Sequence, residues 1–139
     1  MRRLPRLTGP EAVALAEALA LCTAASIMLR VMRFSRVAAR LGRHMSESPS
    51  HQARDSMAAV RLVAWAVAAS ARRLPWKPVC LPQAVTAQWM LRRRGIQSTL
   101  YLGTDPANQY NAHAWVRAGS VIVTGGDDPG RYIVVSTFA

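Results

Sequence analysis

The sequence predicts an α+β protein in which helices come first, followed by one more helix and about four antiparallel strands. Three observations carry that expectation. The chain has 139 residues, 51% of them apolar, which suits one domain with a core of its own and rules out a disordered chain. Long apolar runs between about residues 10 and 74 read as helices. Beyond Ile96, short β-branched and aromatic runs alternate with Gly and Asp-Pro breaks, the pattern of strands and turns.

The first helix is expected from about residue 10 to 31. Thr8 or Gly9 can cap it, Pro10 suits its first turn, and Glu11 lies near its positive end. Its apolar stretch, Ala12 to Val31, follows a basic start and invites comparison with a signal peptide or membrane span. Glu11 and Glu17 interrupt that run, and Leu21 occupies the position before Cys22 where a lipoprotein cleavage box needs a small residue. The reading is therefore an amphipathic helix, buried or facing a membrane.

A basic segment continues to about Gly42, with Arg33, Arg36, Arg40 and Arg43 on one helical face. That face is either solvated or a docking surface for an acidic partner. A polar break from Ser46 to Ser56 surrounds Pro49, and its flanking His44 and His51 read as surface residues rather than metal ligands. The next helix, residues 53–74, carries Val60, Val63, Ala64 and Val67 at helical spacing.

The character changes at Pro75. Pro-Trp-Lys-Pro reads as extended, because a residue before proline is pushed out of the helical region. "CLPQAVTAQWMLRRRG" is a helix closing on three arginines and Gly95. "IQSTLYLGT" is a strand, "DPANQYN" a turn-rich loop, and "AHAWVRAGSVIVTGG" a hairpin through Gly119-Ser120. "RYIVVSTF" is a last strand.

Charge and cysteine usage bound the partners. Lys and Arg number 18 against seven acids, for a formal charge of +11. That favours anionic partners, although Lys77 is the sole lysine and an arginine-rich base composition produces the same excess without functional pressure. No helix-turn-helix, zinc or RNP-like signature is present, so nucleic acid is not expected as a partner. Cys22 and Cys80 make no metal pattern, and no metal or cofactor is expected. Cys22 falls inside an apolar helical run and reads as a buried free thiol, which suits a reducing cytoplasm.

Cys80 differs. A cysteine at a helix start has backbone N–H donors and the positive end of the helix dipole beside it, and both favour a thiolate. The same donors can cradle the oxyanion formed when sulfur attacks a carbonyl. Such a nucleophile needs a base, and His113 is the single histidine of the C-terminal half. A strand-borne histidine facing a helix-borne cysteine is the layout of Cys-His hydrolases.

Four motifs occur in order: "W-x3-C-L" at Trp76–Leu81, "LRRRGI" at Leu91–Ile96, "LYLG" at Leu100–Gly103 and "AHAWV" at Ala112–Val116. Together they resemble the B2 proteins of lasso-peptide biosynthesis, a transglutaminase-like (papain-like) family of cysteine proteases. The motif-bearing region runs from about Trp76 to the C-terminus, and the Arg-rich helical lead-in is also similar. The resemblance implies a helical region over 1–74 and a transglutaminase-like catalytic core over 75–139, in one compact domain. It implies removal of the leader from a ribosomally made lasso precursor peptide, in the cytoplasm or at a membrane surface. A separate small B1 protein would recognise the leader, since residues 10–72 are filled by helices and offer no room for a recognition domain. An ATP-dependent cyclase would act beside it.

Carried onto this chain, the resemblance makes Cys80 the nucleophile and His113 the general base and later acid. The family's third member is an acid on the strand after the histidine strand, where this chain reads "VIVTGGDD". With Gly119-Ser120 as a two-residue turn, His113 falls opposite Gly126. A bulge at Gly125-Gly126 brings Asp127 to the right side, so Asp127 is the candidate. Asp128, Asp105 or no carboxylate are the alternatives. Trp76 and Trp115 flank the pair and read either as core or as walls of a peptide-binding cleft. Gln83, on the helix after Cys80, is expected to point elsewhere, leaving the oxyanion to backbone N–H groups near Cys80.

Two other readings stand beside the peptidase. One is a basic, non-catalytic module for nucleic acid or an anionic membrane, carried by the +11 charge. The other is an amidotransferase that uses the same thioester with an amine in place of water.

Overall fold

A computed structural model describes residues 6–32, 54–125 and 132–139. Among the described residues three helices precede four strands: α1 (Gly9–Val31), α2 (Arg54–Arg73), α3 (Cys80–Arg93), β1 (Thr99–Asp105), β2 (Asn108–Ala118), β3 (Val121–Thr124) and β4 (Ile133–Phe138). The α+β class is as the sequence predicts. The Arg33–Arg43 face, the polar break with His44 and His51, and Asp127 and Asp128 lie outside the described residues.

α1 starts as the sequence requires. Thr8 Oγ1 accepts from Glu11 N–H at 3.4 Å, and Glu11 Oε2 accepts from Thr8 N–H at 3.2 Å, a reciprocal capping box that satisfies two end donors. Its fully buried positions, Ala14, Ala18, Cys22 and Ala25, repeat at three and four residues and are all small. Small side chains allow α1 close approach to both α2 and α3, which it packs against. Glu17 is the contact that a purely apolar helix would lack. Its carboxylate accepts two hydrogen bonds from Arg94, both 2.9 Å, and pairs with Arg93 Nε at 3.2 Å, tying α1 to the end of α3. Arg94 of the "LRRRG" run is thereby partly buried, while Arg93 reaches Glu17 from the surface. By length and composition α1 could still cross a bilayer, with Val13, Ile27 and Val31 exposed on its outer side.

Val60, Val63 and Val67 of α2 are fully buried, so the spacing seen in the sequence is the side turned to the core. α3 lies between the other helices and the sheet. Its Ala84, Val85, Ala87, Met90 and Leu91 pack with Leu100, Ala114, Val116, Ala118 and Phe138. Each fully buried Leu or Val here contributes about 1.5–3 kcal/mol, before the entropy of ordering it.

The sheet is antiparallel with order β3-β2-β1-β4. β2 begins at Asn108, inside the stretch expected as a loop. The reason is a tight turn at Pro106-Ala107, closed by Asp105 Oδ1 accepting from Ala107 N–H at 2.9 Å, which frees the next residues to pair. Between β2 and β3 the turn is at Gly119-Ser120 as expected, with Ala118 opposite Val121. The register then shifts, because Arg117 faces Ile122 but Val116 faces Thr124. This irregularity sits at Val123, earlier than the Gly125-Gly126 bulge the sequence suggested. Val123 and Thr124 are consecutive, both buried and both reach the same cleft, which strict alternation forbids.

Candidate active site

Cys80 is the first residue of α3. The turn leading into it is not extended throughout. Lys77 stands at φ 47°, held there by its N–H to Leu74 O at 3.1 Å and its ammonium to Arg72 O at 2.7 Å. The ammonium thus caps the negative end of α2, overriding the extended preference of a residue before proline. Val79 then takes an extended conformation at the helix cap, with no side chain bonded to the first-turn donors. Pro82 contributes no donor, so the uncapped amides nearest the sulfur are those of Cys80 and Leu81.

His113 comes from β2, directly opposite Gly103 of β1. Its ring is stacked against Tyr132 at 4.8 Å and Trp115 at 5.8 Å, and Trp115 stacks in turn on Tyr101 at 5.3 Å. The Trp115 indole lies over Gly103. A Cβ there would come within 2.9 Å of both that ring and Tyr132 Cβ, so only glycine fits under the aromatic layer. Trp115 is therefore buried packing that sets the histidine's angle.

Beyond Thr124 the backbone turns at Gly125, φ 68°, and aims its carbonyl at the imidazole. His113 Nε2 lies 2.8 Å from Gly125 O. A carbonyl only accepts, so Nε2 carries the hydrogen, and in the neutral ring Nδ1 keeps its lone pair. A side chain at Gly125 is excluded twice over. Its Cβ would sit 2.5 Å from Ala114 O and 3.1 Å from His113 Nε2, and the left-handed φ disfavours it.

Cys80 and His113 line one cleft of about 320 Å³, together with Ala64 and Ala68 of α2, Gln83, and the end of β3. Gln83 does line this cleft, contrary to expectation, but its amide nitrogen is engaged with Pro78 O at 2.8 Å. Thr124 Oγ1, buried in the same cleft, has no hydrogen-bond partner among the described residues and is a polar contact the sequence did not single out. Gly103, Gly125 and Tyr132 were also missed. The only signal for them was a glycine in a strand and a Gly-Gly at a strand end. Trp76 stands apart from this cleft, 41% exposed, against α1. Asp105 is occupied at its turn. Cys22 is buried and free, its thiol raised above the usual range chiefly by burial and partly drawn back by hydrogen bonds with Thr86 and Ser26. No cluster of metal-binding side chains is found among the described residues.

A helix-start cysteine and a strand-borne histidine meeting at the edge of a helix-on-sheet layer is the arrangement on which cysteine-dependent acyl transfer is built. The family model of the transglutaminase-like superfamily matches residues 23–137, and the chain belongs to that superfamily, which includes cysteine peptidases and acyltransferases. No curated protein and no solved structure matches the chain significantly.

Proposed function

We propose that this protein is a leader peptidase of the lasso B2 type, cutting a precursor peptide through an acyl-enzyme at Cys80. The observation that carries the reading is the shared cleft of Cys80 and His113, in which the histidine's outer nitrogen is already held and Nδ1 is the nitrogen with a lone pair. In the proposed cycle Nδ1 takes the thiol proton as Sγ attacks the scissile carbonyl. The Cys80 and Leu81 amides receive the oxyanion. The imidazolium gives its proton to the leaving amine, and a thioester remains. Water, deprotonated by the same histidine, then releases the acid and restores the thiol.

Asp127 is proposed as the carboxylate that stabilises the imidazolium. Its support is its place two residues after Gly125, whose carbonyl meets the imidazole. The Gly125 carbonyl sets the tautomer, but a neutral acceptor stabilises a cation less than a carboxylate does. The proposed partners are the lasso precursor, a separate B1 protein that binds its leader, and an ATP-dependent cyclase that takes the freed core. Four features support the lasso assignment within the superfamily: the W-x3-C-L, LRRRGI, LYLG and AHAWV motifs. Amide transfer to an amine shares every step up to the thioester and is the second reading, favoured by the acyltransferases of the superfamily.

The test is mass spectrometry of a lasso precursor incubated with this protein and a B1 partner. Release of an intact leader, absent with Cys80→Ala, is expected. An uncut precursor under all partner concentrations overturns the peptidase, and a leader recovered as the amide of an added amine selects the second reading.

A further inference from the structure

Resting on the peptidase reading, we infer that a groove beside Cys80 binds the substrate next to the cut, and that it selects an extended segment pairing a bulky apolar side chain with a carboxylate. Two adjoining concavities, about 220 and 290 Å³, share Ser26, Arg30 and Trp76. The first lies between α1 and the indole. The second follows Pro78 to Pro82 and so reaches the residues on either side of the sulfur. Val79 and Leu81, which line this groove, flank Cys80 in the chain, so a segment bound along it runs beside the sulfur.

The wall is built rather than accidental. Trp76 Nε1 donates to Ser26 Oγ at 3.2 Å, and that hydroxyl donates to Cys22 O at 2.8 Å. The indole is thereby locked to α1 with one face left open. Ile27 (56% exposed) and Val79 (68% exposed) continue the apolar surface. Rigid aromatic area of this kind is an efficient anchor, because little side-chain entropy is lost on binding.

Charge names the occupant. Arg30 and Lys77 both line the groove, and among the described residues no acid does. Arg30 has no ion-pair partner among the described residues, whereas Arg93 and Arg94 are committed to Glu17. An apolar side chain therefore meets Trp76 and Ile27, and a neighbouring carboxylate meets Arg30.

The experiment uses three fluorescein-labelled octapeptides, alternating Leu-Glu, Leu-Lys and Ser-Glu, and Cys80→Ala protein so that nothing is turned over. Anisotropy should show the Leu-Glu peptide binding at least about tenfold tighter than either counterpart. Arg30→Glu and Ile27→Glu, both at exposed positions, should each weaken it about tenfold. Arg61→Glu, the same charge change on the exposed side of α2, should leave it within about twofold. Equal binding of the Leu-Lys or Ser-Glu peptide, equal loss with Arg61→Glu, or no binding overturns the groove. In active enzyme, Arg30→Glu should raise KM for the precursor while kcat holds. Cleavage with unchanged KM removes this inference and leaves the peptidase standing. Peptide binding without any cleavage does the reverse.

Discussion

The protein holds the same side chain in two settings, the seam between α1 and α3 and the first turn of α3. In the seam, Cys22 has no exposed surface and is surrounded by small apolar side chains and two hydroxyls. Burial disfavours its anion, so this thiol is packing material. At the start of α3, Cys80 is half-buried, beside backbone amides that no side chain caps, and on a cleft shared with an imidazole. What makes one sulfur a candidate nucleophile is its neighbours. The difference also explains why the groove lies where it does: Cys22 O is the last acceptor in the chain that locks Trp76, so the inert cysteine's segment forms a wall of the other's surroundings.

The strongest way to break the comparison is to remove each sulfur in turn. Cys80→Ala should abolish precursor cleavage, a loss of about 10⁴-fold or more, with an unchanged melting curve. Cys22→Ala should keep at least about half the activity, and iodoacetamide should label folded protein at Cys80 only. Equal loss from both changes, or labelling at Cys22, would erase the distinction.

Asp127→Asn sharpens the proposed site. Because the Gly125 carbonyl already holds the tautomer, kcat should fall by about 10²-fold, less than in triads whose carboxylate does both jobs. A silent change, read at saturating precursor and B1 partner, would reduce the site to a Cys-His dyad.

The seam itself is tested at Glu17. Glu17→Gln removes the charge that receives Arg94's two hydrogen bonds in a largely buried position. A loss of about 1–2 kcal/mol is expected, seen as a melting temperature lower by about 3–8 °C. A shift under about 1 °C would class the pair with solvated surface pairs.

The smallest effect is in alkaline solution. With the folded Cys22 pKa raised, the unfolded chain loses its thiol proton first as pH climbs past about 8.5. Wild-type stability then falls with pH until the folded thiol also ionises. Below that window the residue contributes its full share. Cys22→Ala should therefore lie below wild type near pH 7 and converge on it above pH 9. Parallel melting temperatures across the range would show that the seam does not hold the thiol neutral.

Much of this was legible in the sequence because it is local. The capping box of Thr8 and Glu11, the start of α3 at Cys80 and the Gly119-Ser120 turn each depend on residues within a few positions, and chain stiffness decides such features. The buried side of α2 was likewise readable, since helical periodicity alone turns Val60, Val63 and Val67 the same way. The order β3-β2-β1-β4 was not, because pairing partners are chosen by the packing of the whole layer. Nor was the shift at Val123, where two consecutive side chains are both buried at the cleft. Glu17 read as a blemish in an apolar run until Arg94, far along the chain, supplied its counterion. Gly125 read as part of a bulge, and only the fold brought its carbonyl to His113. The sequence alone determined where most of the helices and strands lie and which two residues are the candidates for reactive chemistry. The tertiary structure decided what orients and surrounds those two residues, because a hydrogen bond, an ion pair or a ring stack between distant segments exists only once the core has brought them together.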